Sequence, residues 1–356
     1  MSYIIKLFCF LFSLNLFPNT LNVSVNGSDE TGDGTQDNPY ASIQKGVDEA
    51  NPNDTVYVFD GIYNGGIILS EKPLSLIGQS REETKINIIS STPQISIIDV
   101  QDDTVKIANF RIKRGSSDRG GGIYSKNSKV MISNSDFSHN ISSSHGGAIY
   151  ADRSEIEINN SLFFLNSSDS LGGSIYAHKT KLVLHNLELR NNSAWAGGAI
   201  GVDTLANCVI NSSEIFNNGA NVGGGIAVFN NGRLTISNSE IYGNNAGGGS
   251  IPQHPDAPNY PLYGGGGGLY QQFSDSLLIE NSNFYDNIAL SGTGGGLAIY
   301  HSNYVIFEKL NIVGNESGGG GGGIMFLRSD NISYNSGLIS DNRSQSNSGG
   351  GIFMGT

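Results

Sequence analysis

From residue 120 onward the apolar positions of this chain fall into columns. A Gly-Gly-x-aliphatic unit recurs as GGGIY (120–124), GGAIY (146–150), GGSIY (172–176), GGAI (197–200), GGGIA (223–227), GGGLY (266–270), GGGLA (294–298), GGGIM (321–325) and GGGIF (349–353). Its aliphatic member stands at Ile123, Ile149, Ile175, Ile200, Ile226, Leu269, Leu297, Ile324 and Ile352, in steps of 26, 26, 25, 26, 43, 28, 27 and 28 residues. A second pattern follows each unit, Φ-x-Φ-x-N-S-x-Φ-x-x-N in outline, where Φ is apolar. Its last Φ falls at Phe137, Phe163, Leu189, Ile215, Ile241, Phe284, Ile312 and Ile339. Three residues later comes Asn140, Asn166, Asn192, Asn218, Asn244, Asn287, Asn315 or Asn342.

A repeat of about 26 residues therefore holds three short strand-like pieces and no helix. The Φ-x-Φ pairs, such as Val130/Ile132 and Leu234/Ile236, alternate with the period of two that marks a strand. Three strands separated by turns close one coil of a parallel β-helix, and successive coils stack about 4.8 Å apart. A leucine-rich repeat needs a convex helical segment, and a propeller blade needs roughly 40–45 residues. The aliphatic columns point inward, Cys208 among them, and a buried Cys acts as a small hydrophobe. The Asn column marks a turn. Asn tolerates the left-handed conformation and bonds to backbone, and stacked Asn amides bond to one another. Asn140, Asn166, Asn192, Asn218, Asn244, Asn287, Asn315 and Asn342 are thus expected to form a structural ladder.

The ends differ. Ile43, Val47 and Ala50 share one helical face, which predicts a short N-terminal capping helix inside a cap over 25–65. A β-helix needs such a cover over its open core. At the other end the last unit, GGGIFMGT, leaves a coil that a missing segment or a partner is expected to cover. The step of 43 inserts a Pro-rich loop, 247–266, with Pro252, Pro255, Pro258 and Pro261. Proline cannot continue a ladder, so the loop is expected to stand off the wall, presenting His254, Tyr260 and Tyr263.

Composition narrows the picture. Glycine fills 49 of 356 positions and charged residues only 15%. Helical classes are disfavoured, since Gly and Asn are poor helix formers. A formal charge of −12 argues against nucleic acid as a partner. Residues 1–17, with Lys6 ahead of a short apolar run, read as a secretory leader, assigned to 1–22. The single β-helix domain then covers 23–356, with no transmembrane segment beyond the leader. The Gly runs lack the Lys-Ser/Thr of a phosphate loop, and the His residues lack zinc-ligand spacing, so no cofactor and no metal site is expected.

Residues 32–63 with LSLIGQS at 74–80 resemble the start of right-handed β-helix proteins of the pectin lyase-like superfamily. The GGAI and FxxN units, as at Gly146–Ile149 and Phe163–Asn166, resemble repeats of chlamydial polymorphic outer membrane proteins, which are surface adhesins. The resemblance implies an all-β, right-handed parallel β-helix, secreted or at the cell surface. It also implies either glycan or surface binding or polysaccharide chemistry. The catalytic pattern of polygalacturonase-like enzymes is incomplete: Asp102-Asp103 and Arg111-Ile112-Lys113 are present, but no NTD and no GHG. Asp136, Glu157 and Glu240 read as isolated outward acids. The expectation is a non-catalytic, adhesin-like protein that binds glycans or surfaces, with a carbohydrate-active enzyme as the alternative.

The residue after each inward aliphatic lies on the opposite strand face. There Tyr124, Tyr150 and Tyr176 are expected to stack as an exposed strip suited to sugar rings, resumed at Tyr270. Among the N-x-S/T sequons, Asn159 and Asn191 are the expected glycan acceptors, because they lie outside the ladder column.

Overall fold

A computed structural model describes residues 18–87, 91–101, 103–247, 264–274, 276–346 and 348–355. Among them one helix forms, and parallel strands make up the rest of the regular structure. A representative coil runs Ile149–Asp152, Glu155–Asn159, Leu162–Phe164 and Ser167–Ser168. The first strand joins a second sheet of eleven strands, the next two a long sheet of 21, and the last a short third wall. The expected three strands are present, with a two-residue fourth added after the ladder Asn.

Register follows the sequence columns. Ile123 pairs Ile149, Ile149 pairs Ile175, and Ile175 pairs Ile200. In the long sheet Leu182 pairs Cys208, which pairs Leu234. Cys208 is fully buried, and burial alone pushes its thiol up to about 12. The fold is thus a right-handed parallel β-solenoid of about 10 turns, with its apolar core along the axis.

The ladder runs unbroken from Asn140 to Asn342. Asn166 Nδ2 donates to Asn192 Oδ1 at 3.1 Å, the same oxygen accepts the Asn166 backbone N–H at 3.0 Å, and Asn166 Nδ2 also reaches the Phe137 carbonyl at 3.0 Å. Asn244 makes both bonds to Asn287 across the 43-residue step. The insertion therefore leaves the coil without disturbing the stack. The left-handed backbone falls one residue earlier than expected: His139, Leu165, Asn191, Asn217 and Asp286 carry φ between 52° and 56°. The turn reverses on that residue, which leaves the Asn itself free to point inward and bond along the axis. A second column was not anticipated. The backbone N–H groups of Ser135, Leu187, Ser213 and Ser239 donate to the serine Oγ of the next coil, at Ser161, Ser213, Ser239 and Ser282.

The helix, Ile43–Glu49, is N-capped by Ser42, whose side chain accepts from Lys45 N. Ile43, Gly46 and Val47 are buried against the first coil. The first strand, Thr20–Val23, pairs with Thr55–Val58, so it begins inside the 1–22 segment assigned to the leader. Residues 1–17 and most of the Pro-rich loop lie outside the described residues, His254, Tyr260 and Tyr263 with them. Gly265 already bridges Val222 and Thr293, so the wall resumes before position 266. At the last coil Ile352 and Met354 are exposed.

Asp136 is not an isolated outward acid. It is buried, and both Arg81 and Arg111 pair with it. Burying a carboxylate is costly unless cations and hydrogen bonds compensate it. The Arg111-Ile112-Lys113 strand contributes one of those cations.

Candidate functional site

The site is set by how the Gly-Gly turns fold. The first glycine of each pair takes φ near +60°, as at Gly120 and Gly172, and the turn lies back over the outer face of the second sheet. The approach is close: a Cβ on Gly120 would stand 3.0 Å from Tyr150 Cβ. Leu171, Ala196 and Val222 from these turns join Tyr150, Tyr176 and Tyr270 in a second apolar layer outside the main core.

The tyrosine strip is therefore not the exposed platform the sequence suggested. The rings do stand one coil apart: Tyr124 and Tyr150 stack at 5.4 Å and 3°, Tyr150 and Tyr176 at 5.4 Å and 28°. Tyr150 and Tyr176 are only 7% and 4% exposed, and Tyr270 is fully buried. Burial pushes the phenols of Tyr124 and Tyr150 above their ordinary range. Only Tyr124 keeps substantial exposure. Sequence periodicity gave the correct spacing but could not reveal the covering turn.

Beside these rings the wall is hollowed into a cleft of about 400 Å³. Arg119, His145, Tyr150, Asp152, Arg153, Tyr176, His178, Asp203, Thr204 and Asn230 line it. Its floor is one register column, in which Asp152 pairs His178 and His178 pairs Asp203; Lys126 pairs Asp152 from the coil before, outside the cleft. The two carboxylates thus occupy alternate coils, about 10 Å apart at the backbone. Asp203 is held by neutral donors, Tyr176 Oη at 3.0 Å and Asn230 Nδ2 at 2.7 Å. Asp152 Oδ2 accepts from Arg153 at 2.7 Å, while Asp152 Oδ1 is buried with no hydrogen-bond partner. His145 sits at the rim with its ring 4.5 Å from that of Tyr176 and Nδ1 2.5 Å from Ser144 Oγ. The Arg119 guanidinium lies 5.4 Å from the Tyr150 ring centroid.

Sequence reasoning placed Tyr150 and Tyr176 here but missed the floor. The signal was present three residues after each inward aliphatic, where Lys126, Asp152, His178 and Asp203 precede Phe229 and Gln272. Tyr270 belongs to the same apolar layer farther along and does not line the cleft. Asn191 is exposed at a left-handed turn. Asn159 is half-buried and donates to Glu157 Oε1 at 2.9 Å. The ladder asparagines Asn140 and Asn166 are buried, so their sequons are closed. Among the described residues no group of three or more His, Cys, Asp or Glu gathers as a metal site. No helix among them is long and apolar enough to cross a membrane.

The family model described as right handed beta helix region matches residues 95–254. The chain is a right-handed parallel β-helix protein. No curated protein matches it. Among solved structures it is similar to XylC in complex with xylose, at 10% identity over 88% of this chain and 75% of that one, TM-score 0.47. It is also similar to pectate lyase Pel9A, at 12% identity over 91% and 79%, TM-score 0.42. A third is PfbA, a surface adhesin of Streptococcus pneumoniae, at 12% identity over 85% of each chain, TM-score 0.44.

Proposed function

We propose that this is a secreted or surface-held β-helix protein that binds saccharides in the cleft between the tyrosine layer and the Asp152–His178–Asp203 column. One observation carries the reading: the cleft sets the stacked pair Tyr150 and Tyr176 beside a polar floor in which Asp152 Oδ1 lacks a donor. Saccharides meet both needs. Their C–H faces pack on aromatic rings, and their hydroxyls donate to carboxylates. A volume of about 400 Å³ falls within the range of small-molecule sites. Secretion is supported by the leader pattern of residues 1–22, and the exposed Asn191 is the stronger of the two glycan-acceptor candidates.

The test is calorimetric titration of the full chain with a panel of short oligosaccharides. Binding is expected for at least one class and is expected to fall about tenfold or more in Tyr150→Ala and His178→Ala. Failure of every saccharide class to bind overturns the reading.

A second reading, a carbohydrate-active enzyme, is favoured by the two carboxylates on alternate coils with an imidazole between them. Two carboxylates flanking a bond are the usual apparatus of glycoside cleavage. Turnover of any polysaccharide, lost in both Asp152→Asn and Asp203→Asn, would replace the binding reading with this one.

A further inference from the structure

We propose that the saccharide taken by this cleft carries a primary ammonium group, as in a hexosamine that is not N-acetylated, and that the ammonium seats on the Asp152–Asp203 floor. The inference rests on the saccharide-binding reading and adds the charge of the ligand.

The floor is acidic where it is buried. Asp152 and Asp203 are each 8% exposed. Among the described residues, Asp203 receives the neutral donors Tyr176 and Asn230 and no cation. An ionised carboxylate has roughly four acceptor sites, so these two bonds leave it with both charge and acceptor capacity. Asp152 has one cation, Arg153, on Oδ2 and no donor on Oδ1. A buried charge without compensation is unfavourable, and a buried acceptor without a donor adds its own desolvation penalty. An incoming ammonium brings three donors and a positive charge: seated at Asp152 it supplies the donor that Oδ1 lacks, and its charge acts along the floor on Asp203, two coils away.

The cations of the cleft are placed differently. The side chains of Arg119 and Arg153 are about half exposed, at 49% and 50%, and each is already paired, with Asp118 and Asp152 respectively. Their charges face water, where attraction is weakly felt. Lys126 lies one coil before Asp152, outside the cleft lining. A uronate carboxylate seated there would therefore meet the Asp152 carboxylate at close range, with Asp203 as a second like charge two coils along the same floor. A plain hydroxyl would satisfy Asp152 Oδ1 but bring no positive charge to the floor. Tyr150 and Tyr176 line the cleft beside that floor and add apolar edge for the ring that carries the amine.

The experiment compares three probes on the parent protein: a glucosamine trimer, its fully N-acetylated counterpart and a galacturonic acid trimer. The glucosamine form is expected to bind at least tenfold more tightly than either of the others. Asp152→Asn and Asp203→Asn are each expected to cut glucosamine binding at least tenfold and to level the three probes, with circular dichroism checking the fold. Equal or tighter binding of the N-acetylated or uronate trimer would overturn the ammonium while leaving a saccharide cleft in place. Binding of none of the three would overturn the ammonium, and only a negative result across the wider oligosaccharide panel would overturn the cleft as well. The comparison on the parent protein stands even if a variant does not fold.

Discussion

Gln44 pairs with Ile68 as a strand would. The Ile68 N–H donates to Gln44 Oε1 at 2.8 Å, and Gln44 Nε2 donates to the Ile68 carbonyl at 3.3 Å. Ile68 lies in Ile67–Ser70, the first strand of the second sheet. One helical side chain thus occupies backbone groups that would otherwise invite another chain to pair.

Gln44→Leu removes that cover without changing the buried face of the helix. It is expected to cost about 1 kcal/mol, the net worth of a hydrogen bond, and to promote concentration-dependent association. Denaturant midpoints and sedimentation at two concentrations would report both. A variant that stays monomeric shows that the helix backbone alone shields the edge.

The Asn ladder should be strongest in its middle. Asn192→Ala leaves the N–H and Nδ2 of Asn166 without their acceptor and the Phe163 carbonyl without its donor, all of them buried. Orphaned buried groups cost about 1–3 kcal/mol, so a loss of about 3 kcal/mol is expected. Asn342→Ala, at a part-buried rung, is expected to cost less than half as much. Equal losses at the two positions would mean that the stack contributes nothing beyond local turn bonds.

Gln271 offers the opposite sign. It pairs with Val228 and Ile299, in a column that faces the core. It is fully buried, and neither its Oε1 nor its Nε2 has a hydrogen-bond partner. Replacing an unsatisfied buried amide with an apolar group of similar volume removes a desolvation penalty. Gln271→Leu is expected to raise the unfolding free energy by about 1–3 kcal/mol. A destabilised Gln271→Leu would reveal a bridging water or a partner on that amide.

The register of the coils was legible because each inward aliphatic meets its own kind one repeat away. Ile123 over Ile149 over Ile175 needs no information beyond spacing. The capping helix was legible from Ile43, Val47 and Ala50 for the same reason. What escaped was anything set by a neighbour in another column. Arg81 meets Asp136 across 55 residues, and no periodicity joins them. Tyr150 is buried because a Gly-Gly turn lies over it, and strand alternation cannot distinguish an outer face in water from one under a second layer. The cleft floor escaped because titratable residues on an outer face read as ordinary solvated surface.

Leu165 is the remaining local conflict. Its backbone sits at φ +56°, and its side chain is exposed, 47% for the residue. The equivalent turns carry Asn191, Asn217 and Gly243, residue types that tolerate the left-handed region, where a bulky L side chain costs roughly 1–2 kcal/mol. Little packing offsets that strain in an exposed leucine. Leu165→Asn is therefore expected to stabilise the protein by about 1 kcal/mol, raising the denaturant midpoint with no change in slope. The adjacent Asn166 keeps its bonds to Asn192 and to the Phe137 carbonyl, so the gain should appear without any change in the ladder. A loss of stability instead would mean that Leu165 covers the neighbouring coil, and that its half-buried part outweighs the strain in its backbone.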